Sequence, residues 1–323
     1  MSETFTAPED AGRLDRWLAG QLPQSRSRIQ SLIKSGAILV DGQTARPSLR
    51  LAGGEVVCID IPPSPPSTLI AQDIPVEILY EDAHVMVVVK PAGMVVHPSR
   101  GHPDSTLVNA LLHRIRASGQ EPGDPARPGI IHRLDKGTSG VLVVTRSDLA
   151  HSGLAAQFAA HTVHRRYLAL VWGRPDPVCG SIDARLGRHP KDRLRFAVVG
   201  EGVGKHAITH YQTLATSRPP GTGRGGEVSL VECRLETGRT HQIRVHLTHI
   251  GHPLLGDPIY VSKQKRPAAW RPLLVGLDHQ LLHAAQLGFT HPISGESVRC
   301  ERAPPPDFIA LLARVGIALP ELD

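Results

Sequence analysis

The sequence is poor in aromatic residues, in cysteine and in long apolar runs. Phe, Trp and Tyr make up 4% of the 323 residues, too few for a protein that stacks many bases of single-stranded nucleic acid on aromatic side chains. The four cysteines lie far apart without metal-ligand spacing, which fits a reducing compartment. The longest aliphatic run, 85–89, is too short to cross a bilayer, and the polar start has no signal core. We therefore expect a cytoplasmic protein.

The chain carries an excess of positive charge. Its formal net charge is +6 and its pI is about 9.4, with Lys and Arg dispersed along the whole length. This balance favours a polyanionic partner, although an ordinary basic protein fits the charge equally well. The length predicts one large domain with a small appendage, or two comparable domains.

Segment 12–61 has the pattern of two helices and a hairpin. Apolar residues recur at helical spacing in 14–22 and 29–33, and Asp41-Gly42 is a strong hairpin turn signal. Four residues of the second helix form an exposed stripe that can lie along phosphates, although a solvated helix face fits it as well: Arg26, Arg28, Gln30 and Lys34. The Pro-rich stretch that follows predicts a linker over 62–72.

Residues 73–323 mix strands and helices without regular alternation, which predicts an α+β domain rather than a doubly wound one. Apolar and β-branched runs predict strands at 76–80, 85–90, 141–145, 164–172, 228–236 and 282–289. Helical patterns cover 105–116, 148–161, 240–250 and 307–315.

One polar loop is the best candidate for chemistry. Residues 129–140, Gly-Ile-Ile-His-Arg-Leu-Asp-Lys-Gly-Thr-Ser-Gly, place charged groups between glycines and directly before an aliphatic strand. Loops of this kind at a strand end commonly hold active sites, although a lone Asp135 beside Arg133 and Lys136 also fits a surface ion pair.

A second polar stretch, 234–246, contains Arg239 directly ahead of a helix that Thr240 can begin. Its histidines, His241, His246 and His249, lack the spacing and companions of a metal site. Tyr167 lies mid-strand on the face shared with Ala169 and Val171, which a core tyrosine would also do. The glycine-rich 200–206 is one residue short of a phosphate-binding loop, so no nucleoside triphosphate is implied.

His132-Arg133-Leu134-Asp135, followed by Thr138-Ser139-Gly140, resembles the signature of the RluA-like family of RNA pseudouridine synthases. The stretch 234–246 matches the same family, and shorter matches extend the resemblance over nearly the entire chain. Segment 12–61 resembles an S4 RNA-binding domain, a small α/β module. The combination is most similar to the RluD-like branch, which acts on large-subunit (23S) ribosomal RNA. Two departures are Val89, where Asn is common, and Gly137, where Asp often stands.

The resemblance implies a catalytic domain with a mixed, mainly antiparallel sheet over 73–323. It implies that Asp135 is the catalytic aspartate, that Arg239 pairs with it, and that Tyr167 lies against the target base, where its hydroxyl could assist removal of the C5 proton. Arg133 would fill the space that a flipped-out uridine leaves. The further RNA-binding residues expected are Lys205, Arg26, Arg28 and Lys34.

The reaction implied by the resemblance breaks the N1–C1′ bond of uridine and rejoins the base through C5. No atom is gained or lost and nothing is oxidised, so we expect no metal and no nucleotide cofactor. Asp135 acts either as a nucleophile at C1′ or as a base at C2′, and the sequence leaves both routes open. We expect a monomer that modifies 23S rRNA, free or within a pre-50S particle. The alternatives are a transfer RNA or another rRNA site, a catalytically silent ribosome-assembly factor, and a metal-dependent hydrolase.

Overall fold

The computed structural model divides the chain into two compact units, Met1–Ser67 and Thr68–Asp323. Described are residues 2–22, 26–61, 69–99, 101–119, 128–192, 194–218, 226–261, 270 and 272–320, except for the side chains of 2 and 26–28. The first residues of the predicted linker, 62–68, lie outside this set. None of the helices in the described ranges has the length and apolar character needed to span a membrane.

The first unit is the predicted arrangement of two helices and a hairpin. Helix α1 covers Leu14–Gln21 and α2 covers Arg26–Lys34. The strands are β1 Ser2–Thr6, β2 Gly12–Arg13, β3 Ile38–Val40, β4 Gln43–Thr44, β5 Arg50–Leu51 and β6 Val56–Asp60. An antiparallel sheet has the order β1-β6-β3-β4, and β2 pairs with β5. The hairpin prediction is confirmed, because Asp41 and Gly42 join β3 to β4 with φ of 50° and 73°.

A buried carboxylate joins the two helices of this unit. The side chain of Asp15 is inaccessible to solvent and accepts hydrogen bonds from Arg13 Nε (3.0 Å) and from Gln30 Nε2 (2.7 Å). Gln30 therefore binds a buried group of the module and is not only part of its surface. Of the other residues in the predicted basic stripe, Lys34 is exposed in the last turn of α2, while the side chains of Arg26 and Arg28 lie outside the described residues.

The second unit is an α+β structure built on one large sheet. Its strands are β7 Glu77–Glu81, β8 Val85–Lys90, β9 Ser139–Thr145, β10 His164–Trp172, β11 Cys179–Arg188, β12 Phe196–Val199, β13 Lys205–Ser217, β14 Val228–Leu235, β15 Leu282–Thr290 and β16 Ser297–Glu301. Its helices are α3 Leu107–Ala117, α4 Asp148–Ala159, α5 Gln242–His249 and α6 Pro306–Arg314. The sheet order is β12-β11-β13-β14-β10-β15-β9-β8-β7, with β16 paired to β15.

The predicted fold class is confirmed, since the sheet is antiparallel except where β9 runs parallel to β15. All six predicted strands and four predicted helices are present, with ends shifted by up to two residues. Strands β11, β12, β13 and β16 were not predicted. They lie at or near sheet edges with half-exposed faces. Glycine, charged or other polar residues interrupt the apolar pattern of β11, β13 and β16, while β12 has only four residues.

Alternation along β10 supplies two hydrophobic cores, one on each face of the sheet. Tyr167, Ala169 and Val171 belong to a core that includes Ile243 and Leu247 of α5. The intervening Leu168 and Leu170 belong to a second core with the apolar side of α6. The face predicted for Tyr167 is therefore the face it has, and α5 covers this side of the sheet.

Candidate active site

A cavity of about 1520 Å³ opens on the α5 side of the large sheet. Its walls come from the loop between Ile130 and Thr138, from the turn 238–241 ahead of α5, from β10, and from 278–282 ahead of β15. Both polar stretches predicted from the sequence therefore meet at one place. Asp135 lines this cavity together with Tyr167, Arg239 and Arg244.

Three glycines in and beside the loop that carries Asp135 leave no space for a side chain. A Cβ at Gly129 would lie 1.8 Å from the carbonyl oxygen of Thr145, and one at Gly140 would lie 2.2 Å from that of Ala284. Gly140 also has a φ of +118°, which side-chain-bearing residues rarely adopt. At Gly137 a Cβ would lie 2.6 Å from Gln280 Oε1. The departure from the family pattern at Gly137 thus coincides with a close contact that leaves no room for a side chain.

Asp135 forms an ion pair with Arg244. Arg244 Nη1 donates to Asp135 Oδ2 at 2.9 Å, while its Nε and Nη2 donate to both carboxylate oxygens of Asp257 at 2.7 and 3.0 Å. Burial alone would lower the pKa of Arg244, but Asp257 and Asp135 outweigh that effect and raise the pKa above its ordinary value. Asp257 is fully buried and also accepts the backbone N–H groups of Ile259 and Tyr260. This network fixes the guanidinium that faces Asp135.

The predicted pairing of Asp135 with Arg239 is corrected by this geometry. Arg239 lines the cavity, but its Nε donates to the backbone oxygen of His206 at 3.0 Å. The physical reason lies in where α5 begins. Arg239 belongs to the turn before the helix, whereas Arg244 is inside it, three residues from the buried Leu247, and so faces the core side of α5. That spacing was the signal in the sequence that could have identified Arg244.

Helix α5 begins at Gln242 rather than at Thr240. No side chain caps the helix at His241, so the predicted hydroxyl cap is absent. Instead Gln242 Oε1 accepts the backbone N–H of Arg239 at 3.0 Å and the Thr237 hydroxyl at 2.8 Å. His241 precedes the helix in a left-handed conformation with φ of 58°. The turn before α5 is thereby tied down from inside the molecule, which orients both Arg239 and His241.

His241 is the second polar group near Asp135. Its Nε2 lies 3.9 Å from Asp135 Oδ2, and its Nδ1 lies 2.9 Å from the hydroxyl of Tyr260. Burial lowers the pKa of His241, although the charge of Asp135 opposes that effect. His241 is therefore expected to be neutral at pH 7. Within the described ranges, no three His, Cys, Asp or Glu side chains are grouped as metal ligands would be.

Tyr167 contributes a buried phenol to the cavity. Burial raises the pKa of Tyr167 against the opposing charge of Arg165, and the charge of Asp135 acts in the same direction as burial. The hydroxyl therefore stays protonated at neutral pH and can act as a neutral hydrogen-bonding group. Two residues earlier on the same face of β10, Arg165 also lines the cavity.

Lys90 is a buried cation that the sequence analysis did not single out. Its Nζ donates to the backbone oxygens of Pro91 and Met94, each at 2.7 Å, and of Lys136 at 3.2 Å. Burial lowers the pKa of Lys90 to about 7, against the opposing charge of Asp135. Lys90 thus joins β8 to the residue that directly follows Asp135.

The predicted RNA-binding residues of this unit are exposed. Arg133 lies at the cavity, two residues before Asp135. Lys205 begins β13, and its backbone pairs with Leu186. Only Arg133 of these two lines the same cavity as Asp135.

Comparisons with known proteins identify the family of the chain. A model of the RNA pseudouridylate synthase family matches residues 84–249, and a model of the S4 domain matches 12–57. The chain is 46% identical to a ribosomal large subunit pseudouridine synthase D of Zymomonas mobilis, over 98% of this chain and 97% of that protein. It is 38% identical to the chloroplastic RNA pseudouridine synthase 2 of Arabidopsis thaliana, over 98% of this chain and 84% of that protein.

A solved structure leads to the same family. Human RNA pseudouridylate synthase domain containing 4 superposes with a TM-score of 0.59 at 26% identity, over 76% of this chain and 95% of that one. The matched family segment, 84–249, contains Asp135, Tyr167 and Arg244, which meet at one cavity. With its preceding S4 match, the chain belongs to the RNA pseudouridylate synthase family.

Proposed function

We propose that this protein converts uridine to pseudouridine in large-subunit (23S) ribosomal RNA, in the cytoplasm, as a monomer acting on free RNA or on a pre-50S particle. The observation that carries the proposal is the ion pair between Asp135 and Arg244 at the wall of a cavity large enough for a nucleotide. The target is supported by the names of the relatives from Zymomonas mobilis and Xanthomonas campestris, both ribosomal large subunit pseudouridine synthases D.

Asp135 is the catalytic carboxylate in this proposal. Arg244 holds it turned toward the cavity, because a guanidinium bound to Asp257 on its other side cannot swing away. The carboxylate attacks C1′ of the flipped uridine and displaces N1, or it removes the C2′ proton as N1 leaves. In the first route the free base turns and attacks C1′ through C5, which displaces the Asp135 carboxylate. In the second route C5 adds to C1′ of the glycal, and Asp135 returns the proton to C2′. In both routes C5 then loses its proton and N1 takes one up.

The remaining residues handle the base and the RNA. Tyr167, a neutral phenol at the cavity wall, lies against the uracil and assists loss of the C5 proton through its hydroxyl. Arg133 enters the stack that the uridine leaves. Lys205, and the basic residues of α2, Arg26, Arg28 and Lys34, bind phosphates and position the RNA.

The test is conversion by purified protein without added cofactor. Ribosomal and transfer RNA transcripts are incubated with the wild type and with Asp135→Asn, and pseudouridine is mapped at single-nucleotide resolution. We expect the wild type to convert uridine only in large-subunit rRNA and Asp135→Asn to convert none. The RNA affinity of Asp135→Asn should stay within about threefold of the wild-type affinity, a change well under 1 kcal/mol. Asp183→Asn, an exposed carboxylate on β11, is the control and should convert normally.

The outcomes separate the parts of the proposal. Conversion in transfer RNA alone would retain the reaction and overturn the target. Turnover by Asp135→Asn would remove Asp135 from its role. If the wild type converts no transcript and no pre-50S particle, the reaction itself is refuted in favour of a silent RNA-binding factor.

A further inference from the structure

Arg165 is a buried cation in the cavity that the reaction described above does not use. The residue is only 7% exposed, and it forms no ion pair with any carboxylate in the described ranges. Arg244, the other buried arginine at this cavity, is bound by two carboxylates. A guanidinium that is taken out of water without a counter-charge is costly, so an anion brought by a ligand would be favoured there.

The orientation of Arg165 is fixed by backbone and aromatic contacts. Its Nη2 donates to the carbonyl oxygens of Leu235 and Glu236, at 3.2 and 2.6 Å. Its guanidinium carbon lies 5.4 Å from the ring centroid of Phe158, which is in turn stacked on His132 at 4.8 Å. The guanidinium therefore has one position available, and its free donors have a defined direction.

Two of its nitrogens have no partner within the part of the chain that the structure describes. Nε is buried without a hydrogen bond. Nη1 also forms none, and it lies 2.9 Å from the point where a Cβ on Gly238 would stand, in the turn that lines the cavity. The absence of a side chain at Gly238 thus leaves Nη1 accessible from the cavity. This nitrogen is the donor that a ligand can reach.

Arg239 adds a second positive charge at the same wall. It follows Gly238 directly, and its Nε is anchored on the backbone oxygen of His206. Burial lowers the pKa of Arg165, and the charge of Arg239 lowers it further. Two like charges that repel each other across a cavity wall are both stabilised by one anion between them.

We propose that Arg165 and Arg239 together bind one phosphodiester of the RNA, the phosphate next to the uridine that enters the cavity. The inference rests on the proposed function, because it takes RNA as the ligand. Arg165 and Tyr167 are two residues apart on one face of β10, about 7 Å, so a nucleotide whose base lies at Tyr167 can place a neighbouring phosphate at Arg165. A neutral uracil oxygen would not offset the charge of either arginine.

The experiment removes one phosphate charge at a time. RNA hairpins that the wild type binds are synthesised with a single methylphosphonate linkage at successive positions, and their dissociation constants are measured with the wild type and with Arg165→Gln. We expect one linkage beside the target uridine to weaken binding to the wild type by tenfold or more, which is about 1.4 kcal/mol. The same linkage should weaken binding to Arg165→Gln by less than twofold, whereas other linkages affect both proteins equally.

Two further variants separate position from folding. Gly238→Ala keeps the Arg165 side chain but adds a Cβ whose position is 2.9 Å from Nη1, which blocks access to this donor from the cavity. The variant should fold normally by circular dichroism. The linkage beside the target uridine should weaken its RNA binding less than it weakens that of the wild type. Arg166→Gln is the matched control on the opposite face of β10, where Arg166 pairs with Glu232, and should retain the full effect.

Binding and conversion are scored separately. If the wild type converts the RNA but every neutral linkage affects wild type, Arg165→Gln and Gly238→Ala alike, the phosphate site is refuted while the proposed reaction stands. If the single linkage distinguishes these variants but no uridine is converted, the phosphate site stands and the reaction is refuted.

Discussion

Arg244 lies between two carboxylates that differ in exposure. Asp257 is inaccessible to solvent, whereas the Asp135 side chain is 14% exposed at the cavity. The buried carboxylate therefore positions the arginine, and the arginine positions the carboxylate that a substrate can reach. A change at Asp257 should act on the reaction through Arg244 without touching the RNA.

Asp257→Asn tests whether Asp257 positions Asp135 through Arg244. The asparagine keeps an oxygen for the backbone N–H groups but offers Arg244 an amide N–H₂ where it needs an acceptor. We expect the free energy of unfolding to fall by about 3 kcal/mol, because one partner of a buried ion pair is lost. We also expect the single-turnover rate to fall at least tenfold while RNA affinity stays within threefold. Denaturant titration measures the free energy of unfolding, rapid quench the single-turnover rate, and filter binding the RNA affinity, with Asp183→Asn as the control. An unchanged single-turnover rate would contradict the positioning role of Asp257.

His132 supplies a pH test at the same scale. Its Nε2 accepts the backbone N–H of Val143 at 3.0 Å, and burial, aided by the charge of Arg165, lowers its pKa to about 3. The unfolded chain binds a proton on His132 below about pH 6.5, whereas the folded chain does not. Stability from this group is therefore complete above pH 6.5 and is lost as the pH falls toward 3, by up to about 1.4 kcal/mol per pH unit.

His132→Gln should remove that dependence, because glutamine can accept the same N–H group but does not titrate. Unfolding free energies from urea titrations at pH 7, 6 and 5 should fall less steeply for the variant than for the wild type. His189→Gln, in the described loop between β11 and β12, is the control. Parallel curves for wild type and His132→Gln would show that His132 does not carry the effect.

At the scale of elements, the active-site loop depends on one close crossing of strands. Gly140 in β9 is the partner of Ala284 in β15, within the parallel pair of the sheet. The two backbones approach so closely that no side chain fits between them. Because Asp135 precedes β9 by four residues, this crossing also sets where the carboxylate stands.

Gly140→Ala should therefore damage both stability and activity. The new Cβ would meet the Ala284 carbonyl oxygen at 2.2 Å in a backbone conformation that alanine disfavours, which together cost about 3 kcal/mol or more. Thermal and urea unfolding measure the loss. Gly200→Ala, where no atom lies within 4 Å of the added Cβ, should change the unfolding free energy by less than 1 kcal/mol. Equal effects of the two substitutions would rule out the steric explanation.

At the scale of the whole molecule, the S4 module is expected to contribute affinity rather than chemistry. Each phosphate contact made by a Lys or Arg releases counterions, so neutralising three should reduce the slope of log K against log salt by about 2. The variant with Arg26, Arg28 and Lys34 all changed to Gln should show this reduction in RNA binding between 50 and 300 mM salt, with the single-turnover rate at saturating RNA unchanged. Arg314→Gln, in α6, is the control. An unaltered slope would exclude the α2 stripe from the RNA interface.

The sequence by itself determined the elements that have a continuous apolar pattern. It also determined the motifs whose residues lie close together in the chain. Strands β8, β9 and β10 and the Asp41-Gly42 hairpin follow from side-chain period and turn chemistry, because both are read within a few residues. The loop at Asp135 was identified in the same way. Strands near the sheet edge were missed, such as β11 between the edge strand β12 and β13, because a strand that is half solvated carries a weak pattern.

Only the tertiary structure decided which cations meet which anions. Arg239 and Arg244 are five residues apart in one polar stretch, and the local sequence allows either of them to pair with Asp135. The start of α5 at Gln242 sends Arg244 inward to Asp135 and Asp257, and leaves Arg239 in the turn beside Gly238 and Arg165. Asp135 and Arg244 are 109 residues apart in the chain, and Coulomb attraction acts across space, so their pairing follows from packing and not from position in the chain.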